Sequence, residues 1–236
     1  MQNGKSGAAP SLVTDAIGAI ARRIRHDDLM PGDRLPSEAQ LSKELNVSRT
    51  VVREAMRSLE AMRIVHLATG KRATVAHIDH GAMSIMIEHG VHTEQISIQQ
   101  IYDVRRTIET RIATLAAIRR SDAEAAGLVE AALAMRRLTA DPPAMMEADL
   151  GFLVTLARAS RNPVFELIVG AFQGITRHTW PMGWKSRTTD EAREAMVATH
   201  EEIARAVAAG DPQAAAAAMA VHFDESVRAL VSAGMS

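Results

Sequence analysis

A chain of 236 residues is long enough for two modest domains, each with its own core. Apolar residues make up 47% and charged residues 23%, an ordinary globular mix, and with aromatics at only 3% the core must be aliphatic. The absence of cysteine excludes disulfides, thiolate catalysis and cysteine-held zinc or iron–sulfur centres. No stretch approaches the roughly 18 uninterrupted apolar residues of a membrane span, and the first ten residues hold no apolar run of the signal-peptide kind. A cytoplasmic protein is the expectation. The net charge of −1 is unevenly spread: residues 1–79 carry 12 Lys/Arg against 9 Asp/Glu, and residues 80–236 carry 15 against 19. A mildly basic N-terminal part on an acidic body fits a DNA-contacting head.

Residues 1–10 read as a flexible tail. Val13, Ile17, Ile20 and Ile24 then recur at helical spacing, predicting an amphipathic helix that ends near the turn signal Leu29-Met30-Pro31-Gly32. Ser37, with Gln40 three residues on, reads as a capping box opening a short helix to about Leu45. Asn46 tolerates the left-handed backbone of a tight turn, and Ser48 caps a third helix reaching about Met62. Ile64-Val65-His66-Leu67 and Ala73-Thr74-Val75-Ala76 read as two short strands joined by Thr69-Gly70-Lys71-Arg72. Three helices followed by a two-stranded wing is the plan of a winged helix-turn-helix, here assigned to residues 11–79.

The Ser48 helix has the composition of a recognition helix. Val52, Ala55, Met56 and Leu59 share its core face, while Arg49, Arg53 and Arg57 line another, with Thr50 beside Arg49. A cationic face with a hydroxyl at the helix N-terminus suits phosphates and guanine edges, and Lys71 and Arg72 at the wing turn can reach a neighbouring groove or backbone. The bland alternative is a solvated charge row paired with Glu54 and Glu60. The caps, the short turn and the basic wing together favour DNA.

Residues 31–76 resemble the DNA-binding domain of the GntR family of regulators. The resemblance is carried by Pro31-Gly32-Asp33-Arg34-Leu35-Pro36-Ser37-Glu38 and by Val47-Ser48-Arg49-Thr50-Val51-Val52-Arg53-Glu54-Ala55. It implies that Arg34, Ser48, Arg49, Thr50, Arg53 and Gly70 contact operator DNA. The chain departs from the family pattern at Ala39, where an arginine is usual, at Arg63-Ile64-Val65, where Gly-Leu-Val is usual, and at Arg72, where the wing usually has a second glycine.

From Gly81 onward no strand pattern recurs. Residues 80–236 read as an all-helical domain broken at Asp141-Pro142-Pro143, Asn162-Pro163, Trp180-Pro181 and Gly210-Asp211-Pro212. In the helix from about Gln95, Arg105 falls in a stripe with Ile98, Ile101, Ile108, Ile112 and Leu115. A cation so placed needs an anion, either Glu109 one turn away or a ligand carboxylate held bidentately. Asp149, His200 and His222 likewise sit among apolar neighbours. His200 lies 11 residues before Asp211 and His222 11 after it, so a hairpin at that turn sets both imidazoles at one height. They are then either two separate core histidines or, with Asp149, ligands of a shared metal. Trp180 and Trp184 read as an aromatic plug in a loop or as a pocket wall, with Arg177 and His178 nearby.

Residues 95–232 resemble the helical FCD ligand-binding domain of the FadR-type branch of the same family, through Tyr102-Asp103-Val104-Arg105-Arg106-Thr107-Ile108-Glu109, through Ala148-Asp149-Leu150-Gly151-Phe152, through Ala159-Ser160-Arg161-Asn162-Pro163, and through the stretches around His200 and His222. The resemblance implies a divalent metal of the zinc or nickel type held by an aspartate and three histidines, with the metal and an arginine binding a small organic acid. Asp149, His200 and His222 match three of those ligands. The fourth position is Leu153. The resemblance also implies a homodimer that places two winged helices on the half-sites of a palindrome. The expectation is therefore a ligand-responsive, DNA-binding transcription regulator, a repressor, whose operator affinity is altered by a small carboxylate at Arg105, Asp149, His200 and His222. Two rivals are a helical metalloenzyme, for which no general base or zincin signature is found, and an architectural DNA-binding protein whose helical half only dimerises.

Overall fold

A computed structural model describes residues 11–234, so the expected tail at residues 1–10 lies outside the described residues. The described chain forms two compact units, one up to Ala82 and one from Met83.

In the first unit, α1 (Leu12–His26), α2 (Glu38–Leu45) and α3 (Arg49–Ala61) precede a two-stranded antiparallel sheet, β1 (Val65–His66) and β2 (Thr74–Val75), paired Val65 to Val75 and His66 to Thr74. The capping chemistry sets the boundaries. Gln40 N donates to Ser37 Oγ, and the Gln40 side-chain oxygen accepts from Ser37 N, so the box closes both ways. Asn46 takes the left-handed conformation with φ 51°, and Ser48 Oγ accepts from Val51 N. Val52, Ala55, Met56 and Leu59 turn inward onto Ala16, Ile20, Leu35, Leu41 and Val65.

Two features differ from the sequence expectation. The first helix stops at His26, earlier than the turn signal suggested. The segment after that signal is also more than a turn. Arg34 bridges Thr74, Leu35 N donates to the Ala73 carbonyl, and Val75 N donates to the Asp33 carbonyl. Residues 33–35 thus extend the wing sheet, a pairing hidden from sequence because a Pro-Gly pair masks so short an extended run.

Arg63 stands at φ 59°, a left-handed backbone where glycine is the unstrained residue. This is the position at which the resemblance expects glycine. Arg63→Gly is expected to raise stability by about 0.5–1 kcal/mol, read as a higher denaturant midpoint with an unchanged slope.

The second unit contains α4 (Gly81–His92), mostly, then α5 (Ile98–Arg119), α6 (Asp122–Met135), α7 (Pro142–Ala159), α8 (Pro163–Ser186), α9 (Asp190–Ala209) and α10 (Pro212–Ser232). Three of the four expected breaks are present, each with a side-chain cap followed by proline: Asp141, Asn162 and Asp211. The fourth is corrected. Trp180-Pro181 lies inside α8, which continues to Ser186. Proline there removes one helix donor, but Thr179, Trp180, Gly183 and Trp184 are all buried, and the two indoles stack with centroids 5.0 Å apart. Packing on both sides of Pro181 holds the helix through it, and the loop reading of the two tryptophans falls. The core of this unit is the aliphatic interior that the composition requires, with Ile112, Leu128, Met135, Met145, Leu156, Ile203 and Met219 fully enclosed.

Candidate effector site and nucleic-acid interface

On the winged unit, Ser48, Arg49, Thr50 and Arg53 all lie exposed at the start of α3. Their surroundings differ. Arg53 Nη2 meets Glu38 Oε2 at 3.2 Å, and Arg57 Nη1 meets Glu54 Oε1 at 3.3 Å, both on the surface. Arg49 and Arg34 have no carboxylate partner among the described residues. Gly70 sits at the wing tip with φ 72°, where a side chain would be strained, and Lys71 beside it is exposed. Arg72 is also exposed, and its Nε and Nη2 donate to the Leu35 carbonyl at 3.0 and 2.7 Å, strapping the wing to the segment before α2. A groove of about 440 Å³ runs between that segment and the wing, bordered by Ser37, Glu38, Gly70, Lys71 and Arg72.

In the helical unit, Asp149 comes from α7, His200 from α9 and His222 from α10, and all three are buried. The mirror spacing about Asp211 does bring the imidazoles together. Their centroids lie 4.9 Å apart and nearly perpendicular. Asp149 Oδ1 is 2.7 Å from His200 Nε2, and Asp149 Oδ2 accepts from the Trp180 indole at 2.8 Å. His200 Nδ1 is 2.9 Å from the Met196 carbonyl.

That carbonyl can only accept, so Nδ1 carries a proton. The short contact from Nε2 to a carboxylate oxygen then needs a second positive centre between them, either a proton or a metal cation. Without a metal, His200 is an imidazolium. Burial opposes its charge, and the hydrogen bond and charge of Asp149 overcome that, raising its pKa. Burial would push Asp149 up, but His200, the charge of His222 and the Trp180 donor bring it down to about 2. His222, buried beside the charged His200, is lowered to about 3 and stays neutral.

Three donor atoms from these residues lie within 4.8 Å of one another. Neutral His222 has no hydrogen bond to either ring nitrogen among the described residues, and His200 presents Nε2 while a backbone carbonyl fixes its tautomer. The donor set fits a divalent cation, which Asp149, His200 through a deprotonated Nε2, and His222 would hold. Leu153, one turn after Asp149, is 3% exposed and brings no donor atom to the set.

Arg105 approaches from α5. Of the two partners expected from sequence, the local one is present: Nε donates to Glu109 Oε1 at 2.9 Å. Its Nη1 donates to Thr176 Oγ1 at 2.9 Å, and its guanidinium carbon lies 5.1 Å from the Tyr102 ring centroid and 5.3 Å from that of Phe223. Burial raises the pKa of Glu109 despite the guanidinium. Tyr102 is fixed in turn by Thr179, with 3.1 Å between the hydroxyls. Arg177 and His178 face outward, Arg177 onto Glu147.

Sequence reasoning overlooked several members of the site. Trp180 was visible, but its role as a donor to Asp149 was not. Thr176 and Thr179 carry a signal only in hindsight, as polar residues on the buried face of α8. Arg187, mostly buried near the end of α8, donates to the Gly183 carbonyl at 2.8 Å, and burial lowers its pKa against the attraction of Asp149.

A winged helix-turn-helix with a basic recognition helix, followed by a helical bundle enclosing a polar, cation-ready site, defines a ligand-responsive DNA-binding regulator. Residues 12–75 match the bacterial regulatory proteins of the gntR family and residues 100–225 match the FCD domain. The chain belongs to the GntR family, in its FCD-containing branch, and is a transcription regulator, not an enzyme. It is 29% identical over 207 residues to the HTH-type transcriptional regulator LutR of Bacillus subtilis (strain 168), covering 85% of this chain and 92% of that one. It is 28% identical over 171 residues to the galactonate operon transcriptional repressor of Escherichia coli (strain K12), covering 70% and 74%. In fold it is similar to a Streptococcus agalactiae GntR, with a TM-score of 0.68 and 24% identity over 92% of this chain and 98% of that one. Among the described residues no helix is long and apolar enough to cross a membrane.

Proposed function

We propose that this regulator is a cytoplasmic homodimeric repressor, released from its operator by a small organic acid bound between Arg105 and a divalent metal. The observation that carries this reading is the convergence of Asp149, His200 and His222 on one buried point. When bound, the metal supplies a Lewis-acidic anchor for a carboxylate. Asp149, His200 and His222 hold it, Trp180 orients Asp149, and the Met196 carbonyl orients His200. Arg105 would supply a second cationic contact, kept in place by Glu109 and Thr176.

The DNA contacts are assigned to Arg34, Ser48, Arg49, Thr50, Arg53, Gly70 and Lys71, with Arg72 shaping the wing. Relatives named for the galactonate and uxu operons support a role at a metabolic operon. The effector acts by linkage: it shifts operator affinity only by as much as it prefers one state of the dimer.

The test is native mass spectrometry with elemental analysis of protein purified without chelator or histidine tag. A dimer with about one zinc or nickel per chain supports the reading. A metal-free dimer whose melting temperature ignores added zinc and nickel removes the metal and leaves the His200–Asp149 ion pair as the resting state.

Leu153→His should supply a fourth protein ligand, the third imidazole of the set, from α7. It is expected to tighten zinc binding about tenfold or more, ~1.4 kcal/mol, in a competitive chelator titration. Unchanged affinity would mean that position 153 does not face the metal.

A further inference from the structure

Arg63 follows the recognition helix directly, with only the C-cap Met62 between it and α3. Its φ of 59° holds a left-handed backbone that an arginine adopts at a cost. The surroundings fix it there. Arg63 N donates to the Glu60 carbonyl at 2.9 Å, Ile64 N to the Leu59 carbonyl at 2.9 Å, and Ala76 N to the Ile64 carbonyl at 3.0 Å. Strained positions persist where neighbouring structure over-determines them, and they gather where function uses them. None of the DNA contacts assigned above uses Arg63.

The side chain reaches the start of α4. Arg63 Nη1 meets Asp79 Oδ2 at 3.5 Å. The other oxygen, Asp79 Oδ1, accepts from Gly81 N at 2.8 Å, and that amide is among those at a helix start with no acceptor inside the helix. The guanidinium lies over the same residue: a methyl group on Gly81 would come to 3.2 Å from both Nε and Nη2 of Arg63 and to 3.1 Å from Asp79 Oδ1. Contacts thus run from the end of α3 through Arg63 and Asp79 to the first residue of α4, all inside the first unit, and α4 then continues into the second. The pair is exposed, with side chains 54% and 45% accessible, so its contribution to stability is small and does not account for a strained arginine.

We propose that Arg63 is a positioning residue that couples the recognition helix to the start of α4, so that seating α3 on DNA steadies the helix leading to the effector-binding unit. Arginine suits the position because its backbone stays at the end of α3 while its guanidinium reaches Asp79. Glycine, the relaxed residue there, keeps the turn and loses the link. Coupling is reciprocal: whatever steadies or loosens the start of α4 changes the affinity of α3 for DNA by the same factor. Because the link lies inside the first unit, it holds whichever ligand the second unit binds and whether or not that unit holds a metal.

The test is hydrogen–deuterium exchange of the full-length chain, free and bound to a DNA fragment that the wild type selects from random sequence, read by mass spectrometry on peptides from α3 and from residues 79–92. In the wild type, DNA is expected to slow exchange at the start of α4 by about two- to fivefold, the range an exposed ion pair can carry. In Arg63→Gly, DNA should still protect α3 but leave the start of α4 unchanged. Asp79→Asn keeps an oxygen for Gly81 N and removes the charge, so it should lose the effect as well. Arg63→Lys keeps the charge and should retain part of it. Each variant is compared with itself, free against bound, so a change in overall stability does not imitate the result. Exchange at α4 that ignores DNA in the wild type overturns the proposal, as does an undiminished effect in Arg63→Gly or Asp79→Asn. A slope of log affinity against log salt that falls by about one in Arg63→Gly, with the α4 effect intact, also overturns it and assigns Arg63 to a DNA phosphate.

Discussion

Asp149→Ala is expected to abolish metal binding and to lower the melting temperature of the metal-free protein by roughly 10 °C. The carboxylate is 4% exposed and satisfies two groups that have no substitute partner: the Nε2 side of His200 and the Trp180 indole. Removing one partner of a buried ion pair costs about 3–5 kcal/mol because the other is left uncompensated. His200 can lose its proton and become neutral, which softens the effect, but the indole N–H remains bare. Asp149→Asn separates the contributions. It keeps an acceptor for Trp180 while removing the charge, so it should lose the metal yet keep more of the stability. Thermal melts in chelator, alongside zinc titrations of the same two variants, check both. Wild-type stability in Asp149→Ala would mean that the cluster is not the structural node described here.

The second large effect is expected on the other unit. Arg49→Ala should weaken operator binding by about 10- to 100-fold and reduce the slope of log affinity against log salt by about one. Arg49 is exposed at the N-terminus of α3, next to the Ser48 cap and Thr50, and is held by no carboxylate among the described residues, so its guanidinium is available to DNA. Arg57→Ala is the control. That residue lies on the same helix but pairs with Glu54 and should change affinity by no more than about threefold. Anisotropy titrations on a fragment selected from random DNA by the wild-type chain measure both. Equal losses in the two variants would reduce the recognition face to a general charge effect.

How legible the molecule was in its sequence depended on where the determining interactions lie. Winged-helix boundaries rest on local chemistry, Ser37 with Gln40, Asn46 and Ser48, and these could be read residue by residue. The mirror spacing of His200 and His222 about Asp211 was also readable, because a hairpin with a short turn converts sequence distance directly into height. Long-range decisions were not. Pro181 signalled a break, but the stacking of Trp180 on Trp184 in the core carries α8 through it, and nothing local announces that. The edge pairing of Arg34 with Thr74, and the turning of Arg72 back onto Leu35, depend on residues about 40 positions apart. For Arg105 the sequence supplied both candidate anions. The structure shows Glu109 taking one side of the guanidinium while its own second oxygen stays bare.

DNA binding by the winged unit and control by a small acid in the helical unit must be coupled in one protein. One measurement addresses that coupling: operator affinity at fixed salt, with and without saturating glycolate, lactate or gluconate, for the zinc-loaded wild type and for Arg105→Ala. At least one acid is expected to weaken wild-type operator binding by about 5- to 150-fold, the usual range of a coupling energy, and Arg105→Ala to bind the operator normally but no longer respond. Operator binding indifferent to every acid, or a response undiminished in Arg105→Ala, would contradict it.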